Sequence, residues 1–176
     1  MGHQMPPVDL SKKEDAEVEQ WIANHERKPG GTALPLYRQL LEERAQRTQA
    51  KQRLNFEHSL EHLRQAAIRQ ICTTYGDLAK ASGVEWSQAR HQMNGPRGHL
   101  DRLLDLCHAR GLPLLTAICV NQSGISKGEL EGDALSGFVA AARRLGLFVT
   151  NERTFHHKCR DECWQWGREQ AGGAVP

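Results

Sequence analysis

No run of about 18 apolar residues occurs anywhere in this 176-residue chain, so no segment is expected to span a membrane. The opening stretch MGHQMPPVDLSKKEDAE has neither an apolar core nor a small-residue cleavage end, which predicts a cytoplasmic protein. Five cysteines, Cys72, Cys107, Cys119, Cys159 and Cys163, are an odd number without a leader, and predict reduced thiols over a disulfide framework. A phosphate-cradling loop is missing as well. Gly98, Gly111, Gly124, Gly128 and Gly132 form neither G-x-x-x-x-G-K-S/T nor G-x-G-x-x-G after a strand, so no nucleotide hydrolysis and no cofactor is expected. Asp101 and Asp105 stand one helical turn apart, but with Arg102 between them they read as an exposed helix face, not a paired-carboxylate site.

Excess charge is scarce too: the formal net is only +2. Its distribution is uneven. Residues 1–34 hold 4 Lys/Arg against 6 Asp/Glu, residues 35–110 hold 12 against 8, and residues 111–176 hold 7 against 7. The positive excess falls in the middle segment, the direction in which phosphate neutralisation would draw it.

Residues 1–34 read as a tail and a short helix: two prolines leave positions 1–9 without periodicity, then Ser11 with Glu14 makes a capping box ahead of Val18, Trp21 and Ile22. Lys28-Pro29-Gly30-Gly31 ends that helix. Residues 35–71 read as a long helical arm, or two helices with a break near Asn55, carrying Leu36, Leu40, Leu41, Leu54, Leu60 and Leu63. Its middle holds almost nothing apolar and is expected to project Arg44, Arg47, Lys51 and Arg53 into solvent.

Within residues 72–150 the run TYGDLAKASGVEWSQAR, Thr74 to Arg90, carries the most information. Thr73 or Thr74 supplies an N-cap hydroxyl, Gly83 sits where a helix ends in a left-handed residue, and Ala79 is small enough for a second helix to cross closely. This spacing predicts a helix-turn-helix whose second helix offers Trp86, Ser87, Gln88 and Arg90 to a DNA groove. Asn94-Gly95-Pro96-Arg97-Gly98 is then a loop. A helix over His99 to Arg110 follows, capped by Gly111, and Leu112 to Val120 reads as a buried strand turned at Asn121-Gln122-Ser123-Gly124. That order predicts a mainly α protein with a small β component, built on a winged-helix-like domain. A further helix over Ala134 to Leu145 is expected to point Arg143 and Arg144 outward, and residues 151–176 form a C-terminal helix and tail.

The residues Thr74-Tyr75-Gly76-Asp77-Leu78-Ala79, Ala89-Arg90, Gly111-Leu112-Pro113-Leu114-Leu115 leading to Cys119, and Gly124 resemble the DNA-binding domain of O6-alkylguanine-DNA alkyltransferases and alkyltransferase-like proteins. The resemblance spans residues 73–124. It implies that Tyr75 rotates a target nucleotide, that Arg90 fills the gap it leaves, and that the fold enters the minor groove. The family's P-C-H-R motif is absent: Cys119 lies in Ala117-Ile118-Cys119-Val120-Asn121, with no local base to ionise it, and reads as a small buried hydrophobe instead of an alkyl acceptor. An extra helix over Arg97 to Arg110 stands where the family has a short loop.

One further constellation carries chemistry. His156, Cys159 and Cys163 fall on one helical face in FHHKCRDEC, but they lack the spacing of a zinc site and a fourth ligand, so no metal is expected. Phe155, Trp164 and Trp166 are expected to anchor that helix on the core.

The leading expectation is a non-catalytic binder of double-stranded DNA that uses Tyr75, Lys80, Trp86, Ser87, Gln88, Arg90, Arg97 and Lys127. The alternative is a protein–protein interaction module, of the phage or mobile-element inhibitor or adaptor kind, acting through residues 36–69 on another protein or on itself, with the helix-turn-helix as scaffold.

Overall fold

Residues 6–173 are described by the computed structural model, and among them eight α-helices and a single two-stranded sheet make a mainly α protein with a small β component. The first helix, α1 (Asp15–Arg27), begins later than its sequence cap suggests. Asp9 Oδ1 takes both the Ser11 amide at 3.0 Å and the Ser11 hydroxyl at 2.6 Å, so Ser11 closes a local turn and Glu14 becomes the N-cap residue. Of the expected unstructured stretch 1–9, residues 1–5 lie outside the described residues.

The expected arm is two helices, α2 (Pro35–Gln49) and α3 (Phe56–Ile68). Gln49 builds the break: its Oε1 accepts from the Phe56 amide at 2.8 Å and its Nε2 donates to the Leu54 carbonyl at 3.0 Å. Asn55 then caps α3 by accepting from the His58 amide at 2.9 Å. These helices do not stand in solvent. Tyr37, Leu40, Leu41, Leu54, Leu60 and Leu63 are fully buried, where each large apolar side chain contributes about 1.5–3 kcal/mol of transfer free energy. Arg44, expected outside, is buried with them.

The reason is an ion cluster where α1 and α2 meet α6 (His99–Ala109) and α7 (Gly132–Arg144). Asp105, only 1 % exposed, accepts from Arg44 Nη2 at 2.7 Å, from Arg102 Nη1 at 3.3 Å and from Arg144 Nη2. Glu19 takes the other end of Arg44 at 3.1 Å, while Glu26 accepts from both Arg144 Nη1 and the Tyr37 hydroxyl at 3.0 Å. The sequence reading of Asp101, Arg102 and Asp105 as a solvated face, and of Arg144 as pointing outward, is therefore corrected: opposite charges drawn from four helices let these groups leave water together. Arg143 is exposed as expected.

Of the strand expected over Leu112 to Val120 only β2 (Cys119–Val120) forms, preceded by a buried 3-10 turn, Leu115–Ile118. A short run that is apolar throughout has no period to separate strand from helical turn. Where a wing would fold back antiparallel, β2 pairs in parallel with β1 (Thr73–Thr74), setting Thr73 against Cys119 and Thr74 against Val120. The last helix, α8 (Glu152–Gly173), lies along α3. A Cβ on Gly167 would stand 2.1 Å from the Ala67 carbonyl oxygen, so glycine is required for that approach.

Candidate nucleic-acid interface

The segment Thr74 to Arg90 forms two helices, α4 (Tyr75–Ala81) and α5 (Trp86–Met93). Thr74 and Asp77 make a reciprocal capping box: the Asp77 amide donates to Thr74 Oγ1 at 3.3 Å and the Thr74 amide to Asp77 Oδ2 at 3.4 Å. At the far end Gly83 takes φ +70°, and the Val84 amide reaches back to the Ala79 carbonyl at 3.0 Å. Ala79 and Ala89 are fully buried, the close crossing that small side chains permit, and Met93 holds the other end of α5 in the core.

What remains of α5 faces outward. Trp86 is 41 % exposed, and Ser87, Gln88, Arg90, His91 and Gln92 are exposed beside it. Arg53, from the α2–α3 loop, donates to Gln88 Oε1 at 2.7 Å, adding a cation to that face, and Ser82 Oγ accepts from the Asn55 amide at 2.9 Å, tying the turn to α3. Arg97, at φ +66° in the loop after α5, donates its backbone amide to Asp101 at 3.2 Å and leaves its side chain exposed. Arg53, Lys80, Arg90 and Arg97 have no carboxylate partner among the described residues, and Glu85 is the sole acid in the sequence between Asp77 and Asp101.

Two expected members stand apart. Tyr75 is only 9 % exposed: as the first residue of α4 beside β2 its ring turns inward toward Cys119, and burial holds its phenol above the ordinary range. It is thus not free to rotate a nucleotide. Lys127 is exposed, but its neighbour Gly128 packs against Cys72 and Arg160, at the N-terminal end of α4. Seven helical residues, about 10 Å, separate that end from the α4–α5 turn.

Sequence reading singled out Trp86, Ser87, Gln88 and Arg90 but not His91 or the approach of Arg53. His91 could have been found, since it lies four positions after Ser87, on the same face of the helix. Arg53 is 35 residues from Gln88, and no local pattern signals such a contact.

Elsewhere, the residues that the sequence offered for alkyl transfer or metal binding, Cys119, His156, Cys159 and Cys163, are all buried. Cys119 is 1 % exposed, and burial together with nearby Asp77 pushes its thiol well above its ordinary range, so it stays protonated. His156 Nε2 lies 2.8 Å from the Ala117 carbonyl, Cys163 donates to the Leu114 carbonyl at 3.3 Å, and burial pushes the Cys159 thiol up to about 12. No group of three or more potential metal ligands occurs among the described residues. Ser59 and His99 are 2.8 Å apart, yet both are buried. Gln52 Nε2 donates to His99 Nδ1 at 3.2 Å, which leaves the ring proton on Nε2, donated to Ser59. A histidine that donates to a serine is not its base. No helix among the described residues is long and apolar enough to cross a membrane.

No protein-family model matches this chain, and no curated protein or solved structure matches it.

Proposed function

We propose that this chain is a non-catalytic protein that binds double-stranded DNA through the outer face of α5. The single observation behind this reading is an exposed helix, held on the core by its buried Ala89 and Met93, whose surrounding cations lack carboxylate partners among the described residues. Phosphate is the anion such a surface attracts, and Ser87, Gln88 and Trp86 supply the uncharged contacts that a groove accepts. The alkyltransferase-like resemblance enters as a helical frame alone, since the buried Tyr75 and Cys119 have neither the nucleotide-turning nor the acceptor role.

Fluorescence anisotropy with a labelled duplex, titrated between about 50 and 200 mM salt, tests this. The double substitution Arg90→Ala, Arg97→Ala is expected to weaken binding and to reduce the slope of log affinity against log salt by about 1 to 2. An unchanged slope removes α5 from the interface.

A second reading, capture of another protein, has one observation in its favour: Phe148 is 87 % exposed beside the exposed Leu147 in the α7–α8 turn. It would act there and not through residues 36–69, whose large apolar side chains are mostly spent on the core.

A further inference from the structure

We infer that the cleft between α1, α2 and the α5–α6 loop is a second phosphate site on the path of the duplex, and that the Asp15 carboxylate stands in for that phosphate in the free protein. This rests on the reading of α5 as the DNA-binding face. The cleft has a volume of about 440 Å³, and Arg47, Lys51, His91, Gln92, Asn94 and Arg97 are among the residues that line it. His91 and Gln92 belong to the last turn of α5, so the cleft continues the proposed interface toward α2.

Asp15 opens α1, and its two oxygens are divided between two cations: Oδ1 accepts from Arg47 Nη1 at 2.7 Å and Oδ2 from Lys51 Nζ at 3.3 Å. A phosphodiester presents the same pair of anionic oxygens, and an arginine with a lysine is a common way to hold it. The clasp is exposed, with Asp15 at 63 % and Lys51 at 72 % side-chain exposure, so water screens it and its release costs little. The other acid of the cleft, Glu19, is occupied by Arg44. Once Asp15 turns away, Arg47 keeps its Nε on Glu43 at 2.8 Å and its Nη2 on the Leu10 carbonyl at 3.0 Å, and its freed Nη1, with Lys51 and an Arg97 that has no carboxylate partner among the described residues, lines a cleft that continues the α5 face. A DNA phosphate is the occupant that this continuity favours.

The experiment compares Asp15→Asn, Lys51→Ala, the double variant and Glu17→Gln, each checked for folding by circular dichroism, in the same duplex titration. Glu17 is on α1 and outside the cleft, so it carries the equivalent charge change without the clasp. Expected are a rise in affinity of roughly 3- to 10-fold for D15N, no comparable rise for E17Q, and loss of the D15N gain when Lys51 is also removed. An equal gain for D15N and E17Q, or a gain that survives K51A, overturns the assignment. Replacing chloride by inorganic phosphate at matched ionic strength separates the sources. If phosphate raises the thermal stability of D15N but not of the D15N/K51A double variant while D15N shows no gain for the duplex, the cleft takes free phosphate and the DNA assignment falls. Should R90A and R97A weaken binding while D15N does nothing, this inference fails and the α5 reading stands; if R90A and R97A do nothing, both fail.

Discussion

Two regions of this molecule draw their character from arginine and use it in opposite ways. At the junction of α1, α2, α6 and α7, Arg44, Arg102 and Arg144 converge on Asp105, with Glu19 and Glu26 closing the outer positions. Around α5, Arg53, Arg90 and Arg97 meet no carboxylate among the described residues. Burial makes the difference. An arginine taken out of water requires a counter-charge with good geometry, whereas one left in water requires none and stays available to an external anion. The first region therefore speaks about stability, and the second leaves its cations free in water, although composition alone does not separate them.

The sharpest way to break this comparison is to remove the shared carboxylate. Asp105→Ala leaves three guanidinium groups facing one another with only peripheral partners, and a buried pair broken from one side costs about 3–5 kcal/mol. That is a large part of the 5–15 kcal/mol typical of a domain, so urea denaturation is expected to show a strongly lowered midpoint. A loss below about 1 kcal/mol would mean that the cluster is hydrated and that the two regions do not differ as described.

How much of this was legible in the sequence follows from the range of each interaction. The α4–α5 turn was, because its signals lie within ten residues: a threonine cap, Ala79, and Gly83 at the left-handed position. The existence of α6, α7 and α8 was also legible, from apolar residues at helical spacing. The ion cluster was not. Asp105 is 61 residues from Arg44 and 39 from Arg144, so Asp101, Arg102 and Asp105 look like any solvated helix face until their partners arrive from other helices. The arm is illegible for the same reason: a polar stretch in α2 has the pattern of a solvent-facing helix, whereas Arg44 within it pairs across the core. Of the candidate site, Trp86 to Arg90 could be read from helical periodicity, while the inward turn of Tyr75 depends on the parallel pairing of β1 with a strand 46 residues away in sequence, Thr73 with Cys119.

A pH titration sharpens the contrast at intermediate size. His99 is 1 % exposed, stacked on Phe56 at 4.8 Å, and burial lowers its imidazole from 6.5 to about 4. The unfolded chain takes up this proton near pH 6.5 while the folded chain resists it until about pH 4. Stability is thus complete above about pH 6.5 and falls as the pH drops toward 4, by about 3 kcal/mol from this group. Burial lowers His62 and His156 in the same direction. Urea denaturation at a series of pH values checks this: the decline expected for the natural chain is shallower in His99→Gln, and a parallel decline in both would assign it to other groups.

The smallest expected effect is the most telling counterpart to Asp105. Arg90 and Arg97 are exposed and have no carboxylate partner among the described residues, so replacing both by alanine removes no buried contact and leaves no buried charge alone. Surface changes of that sort stay within about 0.5 kcal/mol each. Unfolding free energy should therefore be almost unchanged in the variant for which the proposed function expects a drop in duplex affinity. Arg97 sits at positive φ, where alanine is no better suited, and the hydrogen bond it donates to Asp101 comes from its backbone N–H, which the substitution retains. A clear loss of stability in this variant would show that these side chains support the α5–α6 loop, and a weakened affinity could then no longer be credited to direct phosphate contact.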